Sequence, residues 1–165
     1  MQEHGVGPAI TARRRARLVA AVAGVVIAID QLTKSWAVHT LTTRDIELVG
    51  SLRLHLARNR GAAFSLAFGT GGVVAVLAII VVIVLIAVGR SLDTRIGVLS
   101  LGLVLGGALG NLADRAFREG SGFLGGAVID FIDLQWWPVF NVADVAVTVG
   151  GVLLVLTASK EPRPR

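Results

Sequence analysis

Asp130 stands between Ile129 and Phe131 with no basic neighbour in sequence. An ionised carboxylate with no task is unfavourable there. Asp144 follows Asn141 by three residues at the head of an apolar run. Two carboxylates close together at a partly dry boundary cannot both ionise easily, so one keeps a proton while the other is charged. Such a pair can hydrolyse a peptide bond: the ionised member takes a proton from the attacking water, and the protonated member hydrogen-bonds the carbonyl oxygen. Competing chemistries lack their residues. The chain has no Cys, hence no thiol nucleophile, disulfide or thiolate metal site. His4, His39 and His55 show no ligand spacing, so no metal or other cofactor is expected. Nothing in the sequence supports His55 acting with Ser51 or Ser65 as a serine-type pair.

The remaining polar residues each have a structural reading. Asn141 suits the N-cap of a helix, with Asp144 near its positive terminus, and for Asp144 capping and catalysis stand level on sequence. Asp114 and Arg115 read as a structural ion pair or interfacial anchors. Asp30 needs a partner or a task, as any ionisable residue in an apolar span does. Lys34 is expected to snorkel, and Arg53 and His55 to form the solvated face of a strand. Gly102, Gly106 and Gly110 recur at four-residue spacing, which signals close helix packing. Trp136 and Trp137 beside Pro138 suit an interfacial aromatic belt.

The elements that must position these groups are membrane spans. Of 165 residues, 54% are hydrophobic and only 16% charged, and the mean hydropathy is +0.75. A soluble domain of this size cannot hide so much apolar surface. Four apolar stretches, at about 18–37, 72–88, 96–112 and 139–158, each approach the ~20 residues that cross a bilayer. The net charge of +5 does not indicate a nucleic-acid partner, because the basic residues sit at the ends of these runs and form no stripe. A basic segment before an apolar run also fits a signal peptide, but no small-residue cleavage site follows and three more spans do. With the N-terminus inside, nine Lys and Arg lie on the cytoplasmic side and seven outside. The compact Arg13, Arg14, Arg15, Arg17 cluster and the short loop with Arg90 and Arg95 strengthen that bias. Both termini are therefore expected in the cytoplasm.

The ionisable residues then gather at the extracytoplasmic ends of the first, third and fourth spans. In the first outer loop Leu52, Leu54 and Leu56 alternate with Arg53 and His55, a strand with one apolar face. The second outer loop, 116–138, is Gly-rich and then runs Val128-Ile129-Asp130-Phe131-Ile132, a second short strand. The expectation is an all-α membrane bundle of four transmembrane helices with a small extracytoplasmic β-cradle. A basic cytoplasmic arm covers 1–17, a single membrane domain 18–158 with the cradle loop at about 38–71, and a cytoplasmic tail 159–165.

These motifs resemble the bacterial lipoprotein signal peptidases (signal peptidase II). The resemblance is carried by Asp30-Gln31-Leu32-Thr33-Lys34 and Asn59-Arg60-Gly61-Ala62-Ala63-Phe64-Ser65. Gly106-Gly107-Ala108-Leu109-Gly110-Asn111-Leu112-Ala113-Asp114-Arg115, Val128-Ile129-Asp130-Phe131 and Phe140-Asn141-Val142-Ala143-Asp144 complete it in the family's order. It implies a membrane aspartyl endopeptidase that removes signal peptides from prolipoproteins, cutting before a diacylglyceryl-modified Cys. Asp130 and Asp144 match the catalytic pair. Asn59, Asn111, Arg115 and Asn141 match positions around substrate and dyad, and Asp30 one of structural role. Asp133 also precedes the fourth span, but the Val-x-Asp-Phe context selects Asp130. The family's membrane-surface helix would fall in the first outer loop. The implied partners are lipid-modified prolipoproteins and membrane lipids, with the chain a monomer in the bacterial inner (cytoplasmic) membrane. The rival reading, a transporter, channel or structural subunit, predicts midplane charges and internal repeats that the sequence lacks, or leaves Asp130 without a purpose.

Overall fold

The computed structural model describes residues 11–61, 72–92, 94–120 and 123–158. Within them lie four α-helices and three strands: α1 (Ala12–Leu41), β1 (Ile46–Val49), β2 (Leu52–Asn59), α2 (Gly72–Val88), α3 (Arg95–Phe117), β3 (Val128–Asp133) and α4 (Val142–Ala158). The segment Ala62 to Ser65, with most of the expected membrane-surface helix, the first ten residues and the tail from 159 lie outside the described residues.

Helix α1 starts at Ala12 rather than at 18, because Thr11 caps it by accepting the Arg14 N–H at 3.4 Å and the Arg-rich segment propagates helix well. Its buried residues are Ala23, Val26, Asp30, Lys34, Ala37 and Leu41, spaced by three or four so that one stripe faces the protein. Helix α3 is the central element, packed against α1, α2 and α4, and Thr94 caps it by accepting the Gly97 N–H at 3.1 Å. The glycine spacing read in the sequence is used here: Gly102 lies on Val19 and Val22, Gly106 on Ala23 and Val26, Gly110 on Asp30. Gly107 faces the other way, onto Ala143 of α4. Helix α4 begins at Val142 rather than at 139, because Phe140 is held in a bridge to Ile132, whose N–H donates to the Phe140 carbonyl at 2.9 Å.

Helices α1 and α3 are long and apolar enough to cross a membrane. Helices α2 and α4 are apolar, with 17 described residues each, about 26 Å at the helical rise. Helix α2 is apolar all round, with Leu77, Ile80, Val81, Ile83 and Val84 exposed, the composition of a surface that faces lipid rather than water.

The strands form one antiparallel sheet in the order β1-β2-β3, both strands expected from the sequence being present. Ala57 pairs with Asp130 and Asn59 with Val128, while a register shift between Leu54 and Ala57 bends β2. Phe131 packs with Ala37 and Leu41 and meets Trp36 edge-on, so the sheet is fastened to the C-terminal end of α1. Gly126 donates its N–H to the Arg115 carbonyl at 3.1 Å, covering one of the open carbonyls at the end of α3.

A Cβ at Gly107 would stand 2.4 Å from the Ala143 carbonyl oxygen, whereas at Gly24 it meets nothing within 4 Å. Gly107→Ala is therefore expected to destabilise the protein by about 1–3 kcal/mol, and Gly24→Ala to leave it unchanged or slightly more stable. Thermal unfolding of both variants in detergent checks this; equal unfolding temperatures would contradict the packing described.

Candidate active site

The sequence spreads its polar residues over five segments, and the fold gathers most of them into one network. Asn141 is at its centre. Its side-chain oxygen accepts the Asp144 N–H at 3.0 Å, and Asp144 Oδ2 accepts the Asn141 N–H at 3.1 Å. This reciprocal capping box starts α4. The cap reading and the catalytic reading of Asp144 thus coexist in one geometry. With its oxygen committed, Asn141 Nδ2 points to Asp130 Oδ1 at 2.6 Å. One asparagine therefore contacts both aspartates.

The other arms come from separate elements. From β2, Asn59 accepts the Gly61 N–H at 2.8 Å and donates to Asp130 Oδ2 at 3.1 Å. From α3, Asn111 Nδ2 donates to Asp144 Oδ1 at 2.8 Å. Each aspartate thus has both oxygens engaged. Asn59, Asn111, Arg115, Asp130 and Asp144 line a cavity of about 240 Å³ together with Ala78 of α2. Arg115 is 7% exposed, and its Nη1 finds no hydrogen-bond partner among the described residues. The cavity therefore presents a cation and two carboxylates.

Behind the cavity lies a second cluster. Lys34 and Asp30 are both wholly buried, with Nζ 2.8 Å from Asp30 Oδ2 and 2.9 Å from Asp114 Oδ2. The same Nζ donates to Asn111 Oδ1 at 2.8 Å. Asp30 Oδ1 also accepts the Ala143 N–H at 3.0 Å, which ties α1 to the start of α4. Lys34 does not snorkel. It sits on the buried stripe of α1, one turn after Asp30, where its three protons find three acceptors; that i, i+4 spacing was the available signal. Asp114 does not pair with Arg115 either. It binds Lys34, accepts the Ile129 N–H at 3.1 Å, and pairs with Arg118 at 2.6 Å, because Arg115 is on the helix face that turns to the cavity. Gln31, a polar residue within an apolar run, joins the cluster through Asp30, Asp114 and the Gly110 carbonyl.

Asp133 is kept apart from the cavity. The Gln135 N–H and the Arg53 guanidinium, 2.7 Å away, hold its carboxyl below the usual range. Arg53 and His55 are half-exposed as expected, and both also reach Asp45. Trp136 and Trp137 are exposed and pack edge-to-face.

Asp130 is 3% exposed. Burial pushes its carboxyl from 3.8 up to about 6, with the Asp144 charge adding to the rise and the bonds from Asn59 and Asn141 opposing it. The folded protein therefore holds this proton more tightly than the unfolded chain. The resulting stabilisation is complete below about pH 4 and lost as pH rises through about 6. Asp130→Asn removes that dependence. Relative to wild type, the variant should gain about 2 kcal/mol between pH 4 and 7. Unfolding midpoints of both proteins across this range test it, and parallel curves would contradict it.

A family model for signal peptidase (SPase) II matches residues 22–160. The lipoprotein signal peptidase of Rhodococcus jostii (strain RHA1) is 46% identical over 151 residues, 90% of this chain and 76% of that protein. That of Mycolicibacterium smegmatis is 48% identical over 145 residues, 87% of this chain and 61% of that protein. Among solved structures, a bacterial membrane enzyme determined by the in meso method superposes with a TM-score of 0.74 at 27% identity, covering 87% of this chain and 94% of that one. With the polar motifs in their order and the fold in agreement, the chain belongs to the signal peptidase II family of membrane proteases.

Proposed function

We propose that this protein is an aspartyl endopeptidase that removes signal peptides from prolipoproteins, cleaving before a diacylglyceryl-modified Cys, with Asp130 and Asp144 as its catalytic pair. The observation that carries the reading is the convergence of these two carboxylates, one from a strand and one from a helix start, on a single cavity through Asn141. One aspartate takes a proton from water as the oxygen attacks the scissile carbonyl. The other supplies a proton to the carbonyl oxygen, giving a tetrahedral diol. Return of the first proton to the leaving nitrogen breaks the C–N bond, and the second aspartate recovers its own from the diol.

Substrate binding falls to the remaining groups. Arg115 has an uncommitted buried donor at the cavity for a backbone carbonyl, and Asn59, Asn111 and Asn141 hold the pair in place. Asp30 and Asp114 are structural, as the partners of Lys34. An apolar groove lined by Trp136, Trp137, Phe140, Val145 and Val149 reaches Asp144 from the lipid-facing side of α4, which supports a substrate that arrives attached to acyl chains.

In this reading all four helices span the bilayer. Residues 1–17 and 159–165 are cytoplasmic, 18–158 form one peptidase domain, and the sheet is an extracytoplasmic cradle at the bacterial cytoplasmic membrane. The enzyme acts as a monomer without cofactor.

The test is cleavage of a purified diacylglyceryl-modified prolipoprotein in detergent. Asp130→Asn and Asp144→Asn should each lower the rate at least ~10³-fold while remaining folded, and Asp133→Asn should stay within about tenfold of wild type. Full activity in Asp144→Asn would overturn the assignment. An inactive, folded wild type would favour a structural or transport role.

A further inference from the structure

A carboxamide can present either its oxygen or its nitrogen, and only its neighbours decide which. For Asn111 the Lys34 ammonium decides, seconded by Asn141 Nδ2, which donates to the same oxygen at 3.1 Å. An ammonium has donors and no acceptor, so Asn111 must turn Oδ1 toward Nζ, 2.8 Å away. Nδ2 then necessarily faces the other way, to Asp144 Oδ1 at 2.8 Å. Lys34 itself cannot turn aside, since its other two protons are taken by Asp30 and Asp114 at zero exposure. Asp144 Oδ2 is held by the Asn141 N–H, and the carboxylate sits in the first turn of α4, where the helix terminus favours negative charge. Both oxygens of Asp144 thus face donors that cannot reverse.

We propose that Lys34 is a positioning residue for the reaction: by fixing the orientation of Asn111 it keeps Asp144 the charged, water-activating member of the pair and leaves the shared proton on Asp130. The inference rests on the aspartyl reading above. Without Lys34, Asn111 Oδ1 keeps only a neutral donor, Asn141 Nδ2 at 3.1 Å, and the amide is held less firmly in this orientation. An oxygen turned to Asp144 repels the carboxylate and welcomes the protonated form, which draws the proton away from Asp130. The charged groups facing the pair oppose this direction, which is carried instead by the burial of Asp130 and the donors fixed on Asp144. Arg115 of α3 and Lys34 of α1 face it as cations, with Asp30 and Asp114 neutralising the latter, while β2 offers only the neutral Asn59. Asp130, between Ile129 and Phe131, is the more buried of the two and better able to stay neutral.

The measurement is carboxyl ¹³C NMR of aspartate-labelled protein in detergent, at a pH where the pair carries one proton, with Asp130→Asn and Asp144→Asn assigning the signals. Wild type should carry that proton on Asp130. In Lys34→Met a substantial part of it should move to Asp144, and kcat on a lipid-modified prolipoprotein should fall ~10-fold or more with little change in KM. Lys34→Met leaves two buried acids with one cation fewer, so Lys34→Met/Asp30→Asn is the companion variant. It keeps the Asp114–Arg118 pair and an acceptor for the Ala143 N–H. Asn111→Leu, with the ion cluster intact, should move the proton in the same direction, and adding Lys34→Met to it should move it no further.

A proton that stays on Asp130 in folded Lys34→Met/Asp30→Asn or in Asn111→Leu would overturn the proposal, since a merely structural Lys34 lowers stability and leaves the proton where it was. The NMR arm needs no turnover. A wild type that fails to cleave while showing the expected proton positions would therefore count against the proteolytic reading and not against this one.

Discussion

One ammonium group organises this protein. Lys34 Nζ is bound to carboxylates from α1 and α3 and to an amide that reaches α4, with no access to solvent. A buried charge is tolerable only when fully paired, and removing one partner leaves the others uncompensated. The position of Asp30 on the α1 stripe, the close approach allowed by Gly110, and the burial of Asp114 at the end of α3 all follow from serving that group. The ion cluster gives α1 a role beyond packing: its C-terminal half carries the cation, the contact to the Ala143 N–H and the apolar seat for Phe131.

From the cluster outward, order is passed along by asparagines. Asn59, Asn111 and Asn141 each have the carbonyl oxygen fixed by a group that can only donate: the Gly61 N–H, the Lys34 ammonium and the Asp144 N–H. Each then has its amide nitrogen aimed at a carboxylate. Asparagine is suited to this because it carries an acceptor and a donor on opposite edges of a rigid plane, and no net charge to neutralise the aspartates it holds. A preorganised polar site of this kind in a region poor in water stabilises developing charge without reorganising.

Much of this was legible in the sequence. Hydropathy located four apolar segments, alternation located β2, and the apolar context of Asp130 marked a carboxylate out of place. What could not be read was partnership. Lys34 looks like a snorkelling residue because sequence gives its distance from the end of the span but not which stripe of the helix is buried. Arg115 looks like the partner of Asp114 because adjacency in sequence is visible, whereas on a helix adjacent residues diverge and Arg118, one turn on, is the true neighbour. Helix starts were displaced by local chemistry: a Thr11 cap lengthened α1, and the Ile132–Phe140 bridge delayed α4 until Asn141 could cap it.

The claim on which the functional account depends is that Asp130 and Asp144 work as one titrating unit with a single proton. The most direct test is the pH profile of kcat/KM for the wild-type protein on a lipid-modified prolipoprotein. The account predicts a bell, falling on the acid side as the charged aspartate is neutralised and on the alkaline side as the proton held by Asp130 is lost. The alkaline limb should lie at or above about 6, since bound substrate only deepens the burial of Asp130. A rate that climbs steadily through neutrality and into the alkaline range would contradict it, because no pair of carboxylates sharing one proton can behave that way.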